Sequence, residues 1–181
     1  MQKTARLASQ DAFLSGGHMI RQEISLFLQN APGELGKLTR LLSEHGINVD
    51  ALTIQDASHY VQELFKARGK SIKRVASVSN YNMMRRDSSD FALLRLLTDK
   101  TEETCTLLKR HDYLFDTMSV ITIELENKPG SLAEISEKIG EMGININYVY
   151  GSVYEPQAKC LFVLAPEDID TAAKLLNIET S

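Results

Sequence analysis

Two short runs, Asn30-Ala31-Pro32-Gly33 and Asn127-Lys128-Pro129-Gly130, carry residue types suited to holding a small ion rather than breaking bonds. Each precedes an apolar pattern of helical period. The backbone N–H groups at such a helix start lack intrahelical partners and gather a partial positive charge. Gly33 and Gly130 let another molecule approach the main chain. The result is a site sized for a carboxylate. The Asn30 and Asn127 amides both donate and accept, so they can also meet an ammonium group or a polar side chain. Asn48 and Asn145 add a second such group, each at the start of the strand after the helix. The competing reading is local: Asn often caps helices and makes turns. Repetition of the whole set at one spacing favours a ligand site.

That repetition extends without a gap from residues 24–54 to residues 121–151, an offset of 97 positions. The matches run from Ile24/Ile121 and Leu28/Leu125 through Asn30/Asn127, Pro32/Pro129, Gly33/Gly130 and Leu35/Leu132 to Glu44/Glu141 and Gly-Ile-Asn at 46–48 and 143–145. A period this long marks a duplicated domain, not a solenoid. Residues 24–28 read as a buried strand ending in a turn. Residues 34–45 place Leu35, Leu38, Leu41 and Leu42 on one helical face, and Leu132, Ile135, Ile139 and Met142 repeat it. Gly46 and Gly143 stand ready as left-handed C-caps. A second strand follows, and in the later copy Ile144, Ile146, Tyr148 and Tyr150 alternate with Asn145 and Asn147, predicting one buried face. Strand and helix recur at 91–97 and 101–110, then at 160–165 and 166–176, the latter helix opening with Pro166, Glu167 and Asp168. Residues 113–115 supply the last strand of the first copy. The second has only residues 178–180 for it, leaving that strand either rudimentary or supplied by a neighbour. The unit is β-α-β-β-α-β, so the chain is expected to be α+β with two ferredoxin-like domains.

With 181 residues, 43% apolar and 24% charged, the composition is that of an ordinary globular protein with room for two small domains. A net charge of -4 argues against chain-wide attraction to nucleic acid or anionic lipid, making nucleic acid an improbable partner. No apolar run is long enough for a membrane span and no secretory signal pattern occurs, so no membrane partner and a cytoplasmic location are expected. Cys105 and Cys160 lack CxxC spacing and read as reduced thiols. His18, His45, His59 and His111 lack ligand spacing, no phosphate loop occurs, and no nucleophile sits with a base. The chain is expected to be no enzyme and to need no metal or cofactor. Residues 1–18 read as a leader, with a short helix over residues 4–14 as the competing reading and Met19 as a possible start. Residues 58–89 form a basic insertion rich in Lys and Arg. Its plain reading is a solvated arm; the alternative makes the protein an interaction module whose arm binds an acidic protein or nucleic acid.

The strand, the Asn-x-Pro-Gly loop, the helix and Gly-Ile-Asn together resemble the ACT domain, a small regulatory domain that binds amino acids. The resemblance covers residues 20–57 and 89–178, and the whole resembles stand-alone tandem-ACT proteins. It divides the chain into a leader (1–18), a first ACT-like domain (19–118) carrying the insertion at about 58–89, and a second (119–181). It implies two domains packed side by side, within each of which the strands lie in the order second, third, first, fourth, and a free amino acid held between paired domains by the loop of one and the second strand of the other, with a homodimer as the expected assembly. Carried over by position, the ligand-binding residues are Asn30, Pro32, Gly33, Leu35 and Asn48, and Asn127, Pro129, Gly130, Leu132 and Asn145. Serine-sensing members place a histidine two residues before the loop Asn. Here Leu28 and Leu125 stand there, which argues against serine.

Overall fold

The structure, a computed structural model, describes residues 18–57, 91–152 and 159–178. The expected leader and basic insertion therefore lie almost wholly outside the described residues. Ten elements follow in order: β1 (Met19–Gln29), α1 (Glu34–Glu44), β2 (Val49–Asp56), β3 (Phe91–Thr98), α2 (Thr101–Arg110), β4 (Phe115–Glu126), α3 (Ser131–Glu141), β5 (Ile146–Ser152), β6 (Lys159–Pro166) and α4 (Ile169–Leu175). They divide into two compact units, Ile24–Thr117 and Met118–Ser181, the latter also taking the chain up to Glu23.

In the unit 24–117 the strands run β2-β3-β1, with the first residues of β4 beyond β1. β1 and β2 are both antiparallel to β3, pairing Ile24 and Leu52 with Leu96 and placing all three on one face. Leu38 and Leu42 of α1 and Leu107 and Leu108 of α2 cover that face, forming a core with Ile24, Leu26, Leu28, Leu94 and Leu96. The helical period expected for residues 34–45 thus has its physical cause: the buried side chains recur at the spacing of one helical face.

The other unit repeats the plan, with Ile135 and Ile139 of α3 and Ala172, Ala173 and Leu176 of the last helical segment over Ile121, Ile123, Leu125 and Leu164. Its strands run β5-β6-β4, and the place beyond β4 is taken by residues 19–23 of β1. Gln22 donates to Ser119 Oγ at 2.9 Å and the Thr122 hydroxyl to the Met19 carbonyl at 3.1 Å, which sets the two strands antiparallel. The missing last strand of the second copy is therefore supplied from the chain's own first strand. Sequence reading began β1 at Ile24 because Arg21, Gln22 and Glu23 are not strand-like; strand pairing extends it five residues upstream to Met19.

Each described helix ends in the same hydrogen-bonded turn. Ile47 N–H reaches Leu42 O and Gly46 N–H reaches Ser43 O, a Schellman motif repeated by Ile144 with Gly143, Tyr113 with Asp112 and Ile178 with Asn177. Gly46 and Gly143 take φ of 63° and 74°, as expected of left-handed caps. α4 opens three residues later than expected: Pro166 ends β6, and Asp168 is the cap, accepting from Thr171 N–H at 3.0 Å.

The alternation expected of the second copy holds in burial, with Ile144, Ile146, Tyr148 and Tyr150 half-buried and Asn145 and Asn147 exposed, but these side chains do not share one face. A register shift between Ile146 and Tyr148 inserts Asn147 as a bulge, so Ile146 stays with the core while Tyr148 and Tyr150 pair opposite Ala165 and Val163. A bulge changes which face the following residues occupy. Simple alternation could not show it. β2 carries the matching shift, between Val49 and Ala51 around Asp50.

On the face that Tyr148 and Tyr150 occupy, their rings stack with centroids 6.4 Å apart. Both hydroxyls donate to Glu23, Tyr150 at 2.8 Å. Glu23 has no exposed surface, and Val163 and Ala165 beneath the rings are fully buried. A buried carboxyl needs such donors.

Candidate functional site

Both Asn-x-Pro-Gly runs form the expected strand-to-helix turn, and the two are nearly superposable in backbone terms. Gly33 (φ 93°, ψ -14°) and Gly130 (φ 95°, ψ -19°) are the N-cap residues of α1 and α3, and no side chain caps either helix. The first helical amides turn back to loop carbonyls at long range, Glu34 to Ala31 and Ser131 to Lys128, both 3.3 Å. The next amides, on Leu35 and Gly36 and on Leu132 and Ala133, have no intrahelical acceptor by helix geometry. Asn30, Pro32, Gly33, Pro129 and Gly130 are exposed around them, and Asn127 is half-buried.

A Cβ at Gly33 or Gly130 meets nothing within 4 Å, so only the backbone angle demands glycine. Gly33→Ala and Gly130→Ala are each expected to cost about 1–2 kcal/mol through strain at positive φ. Chemical denaturation checks this; an unchanged midpoint would contradict it.

Leu35 and Leu132 are partly buried and pack against the two cores, so they shape each turn from beneath. Asn48 and Asn145 are exposed and share one local design. Asn48 Nδ2 donates to Asp50 Oδ1 at 3.1 Å, and Asn145 Nδ2 donates to Asn147 Oδ1 at 3.4 Å, tying each Asn to the bulge residue. Their backbones are braced too: the Asn48 carbonyl accepts from Asp99 N–H at 3.2 Å, and that of Asn145 from Glu167 N–H at 2.8 Å. Within one unit, however, Asn30 and Asn48 do not come together. They lie at opposite ends of α1, whose 11 residues rise about 16 Å. Asn127 and Asn145 are separated likewise by α3. A ligand touching both kinds of Asn would need a loop from one domain and a β2-type strand start from another.

The two loops differ in the first helical residue. In α1 it is Glu34, a partly buried carboxylate that Lys37 Nζ reaches at 2.6 Å. That bond lifts the Lys37 ammonium above its ordinary pKa. In α3 the position holds Ser131, uncharged and 5% exposed, whose Oγ has no hydrogen-bond partner. Sequence reading passed over this pair because it fell outside the matched positions. Among the described residues no group of three His, Cys, Asp or Glu could hold a metal ion, and no helix is long and apolar enough to cross a membrane.

Comparison with known proteins bears on this arrangement. The family model of the ACT domain matches residues 119–179, the unit that carries Asn127 and Gly130. Protein BT0572 from Bacteroides thetaiotaomicron is similar in structure, with a TM-score of 0.64 and 22% identity over 88% of each chain. The regulatory subunit of aspartate kinase from Thermus thermophilus gives a TM-score of 0.51 at 14% identity, covering 91% of this chain and 97% of that one. The corresponding subunit from Thermus flavus gives 0.50 at 15%, covering 89% and 95%. These likenesses support the ferredoxin-like fold of both units. No curated protein matches the sequence.

Proposed function

We propose that this protein is a regulatory small-molecule-binding protein that takes a free α-amino acid at its Asn-x-Pro-Gly loops. The observation that carries the reading is the doubled turn: two helix starts without a side-chain cap, each opened by a glycine at φ near 94° and flanked by an Asn. The α-carboxylate would lie on the helix amides, the Asn30 or Asn127 amide would meet the ammonium group, and Asn48 or Asn145 of a neighbouring domain would complete the site. The ACT match over residues 119–179 and the likeness to aspartate kinase regulatory subunits agree with a sensing role. Because each unit separates its own two Asn residues, pairing of domains, including through a homodimer, belongs to the same proposal.

The loop at 127–130 is the stronger of the two. Glu34 already places a negative charge at the start of α1, where it opposes an incoming carboxylate; Ser131 does not. Wild-type protein is expected to bind one amino acid per chain, and Glu34→Ser to raise that to two with an affinity gain at the first loop of about fivefold. Calorimetric stoichiometry reads this directly, and a value unmoved by the substitution would contradict it.

A thermal-shift screen against the twenty amino acids at millimolar concentration tests the function. Ligand at about 100 times its dissociation constant adds roughly 2.7 kcal/mol, a shift of several degrees. A selective shift for a few related amino acids is expected. No shift with any of them, in folded protein, would remove the proposal.

A further inference from the structure

The unit 24–117 holds a cavity of about 380 Å³ that involves neither loop nor strand start of the proposed amino-acid site. Its walls are Glu102, Glu103, Thr106 and Arg110 of α2 with His45 from the end of α1, and its floor is Ile47 and Leu107. The two floor residues are 6% and 4% exposed, so the base is apolar and fixed by the core. The four α2 residues recur at the spacing of one helical face, with both carboxylates in the first turn and Arg110 in the last. Glu103 and Arg110 are thus about 10.5 Å apart along the axis. An apolar floor with a few polar groups converging on it is the usual character of a small-molecule site.

We propose that this groove binds a dipeptide-sized zwitterion. Arg110 presents a planar fork of donors that matches a terminal carboxylate, while Glu102, beside Glu103 that Lys100 Nζ reaches at 3.8 Å, meets a terminal ammonium. Two residues of extended chain span about 7 Å, and an ion-pair contact of about 3 Å at each end brings the reach to about 13 Å, comparable to the roughly 12 Å along the axis between the positions of Glu102 and Arg110. Between them His45 Nδ1–H donates to the Leu41 carbonyl at 2.9 Å. In the neutral ring this leaves Nε2 as an acceptor, suited to the peptide N–H, and the Thr106 hydroxyl can donate to the peptide carbonyl. The side chain of the second residue lies on Ile47 and Leu107. A single amino acid, with its charges closer together, reaches one end at a time.

Calorimetry with Gly-Leu, N-acetyl-Gly-Leu and Gly-Leu amide tests the assignment. Gly-Leu is expected to bind the wild-type chain at millimolar concentration. It should bind equally to the Asn30→Ala/Asn127→Ala variant, which separates this groove from the amino-acid loops. Arg110→Ala, the Glu102→Gln/Glu103→Gln pair and each capped peptide should weaken binding at least roughly tenfold, the scale of one charge-assisted hydrogen bond. Asn127 is half-buried and the other substituted positions are exposed, and circular dichroism checks that each variant folds. Absence of Gly-Leu binding, binding that survives Arg110→Ala, or binding lost in the loop variant would each overturn the proposal.

Discussion

Replacing Asn30 and Asn127 together by alanine is expected to reduce amino-acid affinity by roughly ten- to a hundredfold. An uncapped helix start recognises any small anion, so the distinction between an amino acid and other carboxylates must come from the group that meets the ammonium, which in the proposed site is the Asn amide beside each turn. Losing a hydrogen bond to a charged group costs about 1.5–3 kcal/mol, one to two powers of ten. The single variants divide the effect unequally: Asn127→Ala removes most of it, because the 127–130 loop lacks the competing acid that Glu34 places at the other. Neither Asn belongs to the apolar cores, so the double variant should melt near the wild-type temperature. Calorimetry on the three variants checks the expectation, and retained affinity in the double variant would refute the assignment of the loops.

The largest effect on stability is expected at Glu23. Its carboxyl group is fully buried and accepts hydroxyl hydrogen bonds from Tyr148 and Tyr150, joining residues 19–23 to the unit 118–181. Glu23→Ala leaves both hydroxyls without that acceptor and opens space beneath the stacked rings. The expected cost is about 3 kcal/mol, a fall in melting temperature of about 6–12 °C for a chain of this size. Glu23→Gln retains one acceptor and adds a donor that a rotated tyrosine hydroxyl can accept, so it should lose less than half as much. A melting temperature unchanged in Glu23→Ala would show that the carboxyl group does not hold this strand.

What could be read from the sequence was whatever repeats locally. The helical faces at Leu38 and Leu42 and at Ile135 and Ile139, the glycine caps at 46 and 143 and the turns at 33 and 130 follow from periodicity and residue type. Long-range pairing hid the rest. Residues 19–23 form a strand only because β4 lies alongside them, and Glu23 gains its meaning only from tyrosines more than a hundred residues away. The bulge at Asn147 depends on the register against β6, so alternation alone placed Tyr148 on the wrong face. The loop asparagines were visible because both copies keep them. Ser131 was not, because its importance lies in being unlike Glu34. The groove on α2 was equally hidden, since its charged residues are ordinary surface residues until His45 and Ile47 close one side.

The central claim is that the Asn-x-Pro-Gly turns hold the ligand, and amide chemical-shift mapping by NMR with the amino acid selected in the thermal screen tests it most directly. The account predicts saturable shifts concentrated on the amides of residues 127–133, with weaker ones at 30–36. Shifts confined to other regions, or none at saturating ligand, would contradict it.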